Sequence, residues 1–164
     1  MFRNISLVAL AILVSAGFAL AEGNVAETKA ADHGGKPWVV DIEKLTTDNG
    51  QFRSTYWSGK DMQMTVMSIV PGGEIGLEAH PEGDQFIRVE AGEARVVMGE
   101  TKDAMTFDEK VSAHWAIFIP GGYWHNIINT GNEPLKVYVI YAPPQHAAGT
   151  IHKTFEEAEA AHKH

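Results

Sequence analysis

An all-β sandwich or barrel with one short C-terminal helix is the fold this sequence predicts, and three features predict it. Short runs rich in Val, Ile, Thr, Phe, Tyr and Trp recur from Trp38 onward. Gly, Pro, Asn and Asp break them at near-even spacing, which suits antiparallel strands better than βαβ units. Helical patterning is confined to the tail.

The expected strands are Trp38–Ile42, Phe52–Trp57, Met62–Val70, Ile75–His80, Gln85–Glu90, Ala94–Met98, His114–Ile119, Trp124–Asn129 and Leu135–Tyr141. Turns fall at Pro71-Gly72-Gly73, Pro81-Glu82-Gly83-Asp84, Gly92, Pro120-Gly121-Gly122 and Gly131-Asn132. The tail, 154–164, starts with Thr154 as an N-cap and Glu157 three residues later, the spacing of a capping box before an Ala- and Glu-rich stretch. Residues 37–153 form the barrel, and the Ala-, Gly- and charge-rich segment 22–36 reads as a flexible leader.

Residues 1–21 read as a signal peptide. Arg3 precedes an uncharged, mostly apolar run from Ile5 to Phe18, and Ala19-Leu20-Ala21 has the small-x-small pattern of a cleavage site. An uncleaved anchor is the alternative, but the run is short against the roughly 20 apolar residues that span a bilayer. Cleavage would leave a periplasmic or secreted protein with no membrane attachment. The chain has no cysteine, which suits an oxidising compartment and restricts any metal to nitrogen and oxygen donors. A formal net charge of -8 without a basic cluster argues against nucleic acid and anionic lipid as partners.

Two windows carry the chemistry. In Gly72–Gly92, Glu78 and His80 are two apart and share one face of an extended segment, and Gln85 opens the next strand after a tight turn. In Pro120–Asn129, a turn delivers His125 at the start of a strand. These windows resemble the two motifs of the cupin family. The first motif runs Gly, five residues, His-x-His, three or four residues, Glu, six residues, Gly, and Gly72, position 78, His80, position 85 and Gly92 fit that spacing. The second runs Gly, five residues, Pro-x-Gly, two residues, His, three residues, Asn; Pro120, Gly122, His125 and Asn129 fit, with His114 in place of the leading Gly.

The resemblance implies a double-stranded β-helix, a jelly-roll barrel, with a metal near its centre, and a homodimer paired through its sheets. It also implies the ligands Glu78, His80, Gln85 and His125, with Glu78 where the family has His and Gln85 where it has Glu. The exchange leaves the set with one negative charge, as in the three-His, one-Glu set, but with two nitrogen and two oxygen donors. That harder set favours Mn²⁺, Fe²⁺ or Zn²⁺ over copper. Each residue has a plainer alternative. His80 would cap the Pro81 turn, His125 would pack at the barrel rim, and Glu78 would lie exposed or act as a general base. Gln85 would hydrogen-bond a metal-bound water.

The other histidines are less informative. His114 precedes an apolar strand, His146 and His152 lie in a segment folded over the barrel or against a second subunit, and His162 and His164 belong to the tail. No nucleophile elbow, phosphate-binding Gly-x-x-x-x-Gly-Lys or His-Glu-x-x-His occurs. Three functions follow as expectations. The first is a metal-dependent enzyme (isomerase, dioxygenase or lyase) acting on a small polar metabolite. The others are a non-catalytic barrel that binds a metabolite or metal, and a barrel stapled by its ion.

Overall fold

The computed structural model describes residues 31–162; the expected signal peptide and the leader up to residue 30 lie outside the described residues. A short helix, α1 (Ile42–Asp48), precedes β1 (Arg53–Ser58), β2 (Gln63–Ile69), β3 (Asp84–Ala91), β4 (Glu93–Gly99) and β5 (Phe107–Ser112). Then come β6 (Ala116–Ile119), β7 (Trp124–Asn129), β8 (Leu135–Ala142), β9 (Ile151–His152) and a last helix, α2 (Phe155–His162). Six strands form one sheet in the order β6-β3-β8-β2-β1-β9, and β5-β4-β7 form a second. Every pairing is antiparallel. The expected all-β jelly roll with a short C-terminal helix is the observed architecture.

Alternation along the strands sets the interior. Leu135, Val137, Val139 and Tyr141 of β8 are buried, while Lys136, Tyr138 and Ile140 between them are half-buried. On β3, Gln85, Ile87 and Val89 face inward in register with them. Ile69, Ile87, Val96, Ile117, Ile127 and Val139 meet in one apolar core. Each such side chain contributes about 1.5–3 kcal/mol by leaving water.

Four local expectations differ from the structure. Trp38–Ile42 is not a strand. Asp41 accepts a hydrogen bond from Lys44 N at 3.0 Å and so caps α1, which packs on β8, β2 and β3. Ile75–His80 is extended but makes only isolated bridges, because Gly76 takes a left-handed backbone (φ 96°) and breaks the ladder. The strand expected from His114 starts at Ala116, since His114 is itself left-handed with φ 74°. That is the position where the motif has glycine, the residue for which this conformation is unstrained. β5 was not expected: Phe107–Ser112 is a charged, mostly exposed edge strand whose sequence lacks apolar alternation.

Both ends of the described chain are fastened. Of the leader expected over 22–36, Asp32 accepts hydrogen bonds from Gly34 N (2.7 Å), Ser58 N (3.1 Å), Ser58 Oγ (2.7 Å) and Gly149 N (3.0 Å). His33 stacks on Trp38, with ring centroids 4.4 Å apart. At the other end, Glu157 N donates to Thr154 Oγ1 at 3.3 Å. The Glu157 carboxylate accepts from Lys153 N at 2.6 Å, one residue upstream of the usual capping-box partner.

Candidate metal centre

The site begins with backbone pairing. Glu78 N donates to His125 O at 3.1 Å and His125 N donates to Glu78 O at 2.9 Å, so the two residues stand directly opposite each other. Opposed residues of an antiparallel pair present their side chains on one face, and His80, two residues on from Glu78, shares it. The next turn is locked behind them, where Gly122 N donates to His80 O at 3.0 Å.

This geometry brings three side chains to one point. Glu78 Oε1 lies 3.2 Å from His80 Nε2 and 3.5 Å from His125 Nε2. The three donor atoms all lie within 4.8 Å of one another. Two donors at about 2.1 Å from one ion, at tetrahedral or octahedral angles, sit about 3.0–3.4 Å apart, so the two spacings to Glu78 are close to those of a common coordination sphere. His125 is fully buried, and its Nδ1 donates to Tyr123 O at 2.9 Å. Because a carbonyl can only accept, that bond places a proton on Nδ1 and turns Nε2 toward the carboxylate, the nitrogen a metal-binding imidazole would use.

Gln85 lies on the inner face of β3, 3% exposed, with neither amide atom hydrogen-bonded among the described residues. Its register partners are Tyr141 and Ile119, and the Tyr141 ring packs edge-on against His80 with centroids 5.5 Å apart. Gln85 thus shares the inner face with Tyr141, which packs on His80 of the triad. A buried amide without partners costs about 1–3 kcal/mol, so an unpaired one facing a cluster of donors fits an ion or an ion-bound molecule. The donor set therefore suits a divalent cation.

The electrostatics agree. Burial pushes the Glu78 carboxyl up, but contacts with His125 and His80 and the charge of Arg53 outweigh it and hold the group well below the usual carboxylate range. Burial also raises the Tyr141 hydroxyl above the usual tyrosine value, with Arg53 opposing and Glu78 reinforcing the rise, so it stays protonated near neutrality.

A strap covers this end of the barrel. Gln63 Oε1 accepts from His146 N at 2.9 Å and Gln145 N at 3.2 Å, and Gln63 Nε2 donates to His146 O and to Ser58 Oγ, both at 2.8 Å. The His146 ring packs edge-on against Tyr141, with centroids 5.1 Å apart. The segment around His146 does fold over the barrel. Its anchor Gln63, together with Tyr141 and the buried Arg53, was not legible as site chemistry. Tyr141 carried the only signal, as the polar end of an otherwise aliphatic inward row.

The comparisons with known proteins agree with the fold. The family model of the cupin domain matches residues 65–141. Over 130 residues the chain is 52% identical to the uncharacterized protein YrkC of Bacillus subtilis (strain 168), an alignment covering 79% of this chain and 70% of YrkC. The crystal structure of BH2720 from Bacillus halodurans is similar at 53% identity and a TM-score of 0.79, over 80% of this chain and 99% of that one. A conserved protein with a double-stranded beta-helix domain from Klebsiella pneumoniae shares the fold at 22% identity and a TM-score of 0.55, over 73% of this chain and all of its own. Two motifs in order, the jelly roll that carries them and these relatives lead to one conclusion: the chain belongs to the cupin superfamily.

Proposed function

We propose that this cupin binds one divalent cation through Glu78, His80 and His125, with the Gln85 amide oxygen as fourth donor, and uses it on a small polar metabolite. The observation that carries the reading is the convergence of both imidazole Nε2 atoms on Glu78 Oε1, at 3.2 and 3.5 Å. A carboxyl held this far below its usual range takes up protons poorly, so Glu78 is read as a ligand in preference to a general base. Two nitrogen and two oxygen donors favour Mn²⁺, Fe²⁺ or Zn²⁺. A bound ion would supply Lewis-acid polarisation of a substrate oxygen, while the chain fixes its donors and limits water with the strap over Tyr141. Tyr141, kept protonated, is a hydroxyl donor beside His80.

The reading extends to location and assembly. The apolar run Ile5–Phe18 before Ala19-Leu20-Ala21 supports export to the periplasm or beyond. Phe118, 71% exposed on the edge strand β6, and the neighbouring Trp115, 53% exposed, support a homodimer. A monomeric mass at micromolar concentration would argue against the dimer.

The decisive experiment uses untagged protein and mass spectrometry of bound metal. One equivalent of Mn, Fe or Zn is expected, and Glu78→Ala, His80→Ala and His125→Ala should each weaken binding at least a hundredfold. Protein that neither carries nor takes up these ions refutes the reading. Slow or absent exchange of ion-bound water in relaxation measurements would favour a closed structural staple over catalysis.

A further inference from the structure

Arg53 opens β1 on the inner face of the six-stranded sheet. Its register partner on β2 is Met67, and Met67 pairs in turn with Val137 on β8. Directly opposed residues share a face, and both partners belong to the core, so Arg53 points into the barrel with them. It is 1% exposed and is the largest of the fully buried side chains among the described residues. Its Nε and Nη1 have no hydrogen-bond partner among the described residues. The Phe52 ring, 5.5 Å from Cζ, offers only its face.

A buried guanidinium is stable only when its charge and its N–H groups are answered. The Tyr141 hydroxyl is hydrogen-bonded to Arg53 and answers one N–H but no charge. Glu78 is the acid whose carboxyl responds to Arg53, but the metal reading commits that carboxylate to the ion. With neutral imidazoles, the ion brings two positive charges and Arg53 one, against one negative charge from Glu78. Water can answer the N–H groups but not the surplus of two charges, whereas an anion answers both. Thr55 and Thr65 pair across β1 and β2 on the same face; the Thr55 hydroxyl is buried and unpartnered among the described residues, and the Thr65 hydroxyl is buried against Tyr141. The wall between Arg53 and the triad is therefore rich in donors, the complement of a ligand that only accepts.

We infer that Arg53 is an anion subsite and that the molecule held beside the ion is a small carboxylate, spanning the ion and the guanidinium. The fork of N–H donors matches the two oxygens of a carboxylate, and a sugar hydroxyl would leave the charge unanswered. The inference rests on the metal reading above and names the substrate class for that same site.

The test is calorimetric titration of Zn²⁺-loaded protein with acetate, malonate, inorganic phosphate and erythritol, with zinc stoichiometry checked by mass spectrometry. Acetate or malonate should bind in preference to phosphate and erythritol. Arg53→Gln should weaken that binding at least tenfold at unchanged zinc content, and Arg53→Lys should recover part of it. Should Arg53→Gln not fold, the loss from Arg53 to Lys carries the comparison. A second arm needs no metal. Glu78→Gln removes the opposing carboxylate, so the metal-free variant should bind the same acids, and should lose that binding when Arg53→Lys is added. Failure of zinc uptake with this second arm intact refutes the metal reading alone. Equal carboxylate affinity in wild type and Arg53 variants, preference for phosphate or erythritol, or no binding in either arm overturns the subsite.

Discussion

Two buried side-chain amides sit at opposite ends of the barrel and differ in one respect. Asn129, at the end of β7, donates through Nδ2 to Ile69 O and Glu133 O at 2.9 Å each, and its Oδ1 accepts from Gly131 N at 2.9 Å. Gln85, at the start of β3, is as deeply buried and makes no hydrogen bond among the described residues. His125 lies four residues before Asn129, about 13 Å along the strand, at the Gln85 end. The difference separates structural polarity from functional polarity. A satisfied amide ties β7 to the end of β2 and to the following turn, whereas the unsatisfied one ties nothing among the described residues and is the fourth donor in the proposed reading.

The comparison is sharpest under substitution. Asn129→Ala strands the buried Ile69 carbonyl and the part-buried Glu133 carbonyl, and should lower unfolding stability by about 2–4 kcal/mol, measured by denaturant titration. Metal stoichiometry should be unchanged, and a loss of metal would break the division between the two ends. Gln85→Leu should act in the opposite sense. Removing an unpaired buried amide should leave the metal-free protein as stable or about 1 kcal/mol more stable, while ion affinity falls about tenfold or more. A clear loss of metal-free stability would mean that Gln85 has a structural partner after all.

The smallest effect concerns the strap. Burial pushes the Asp32 carboxyl up, but hydrogen bonds from Ser58, Gly34 and Gly149 outweigh this and lower it below its ordinary value of 3.8. A lowered folded value means that Asp32 contributes stability above about pH 4, and that this is lost as pH falls through the folded value. Wild type should therefore exceed Asp32→Asn in stability near neutrality, and the gap should close in acid. Hydrogen exchange should quicken around Gly149 and His146 in the variant and stay unchanged around Asn129. Equal loosening at both ends would show that the strap does not belong to the polar end.

Much of this division was legible in the sequence, for physical reasons. β8, and β3 from Asp84 to Val89, alternate because one face of each is buried, and turn residues mark their ends. The motif spacing brought position 78, His80, position 85 and His125 to attention because local geometry fixes where two hairpins point. α1 was hidden because Val39-Val40-Asp41-Ile42 looks like strand until Asp41 is seen as a cap. Arg53 was hidden for a different reason. An arginine in a strand usually faces solvent, and only the register that sets it opposite Met67 shows that this one does not.

The turn that carries His80 toward Gln85 has one further consequence. A Cβ on Gly83 would fall 1.9 Å from Ala142 O, a collision with main chain that no rotamer change relieves. A histidine can give way to a glutamate, or a glutamate to a glutamine, without moving the main chain that presents it. The side chains proposed as ligands can therefore be exchanged to retune the preferred ion, while the glycine in the turn beside them holds the frame that presents them.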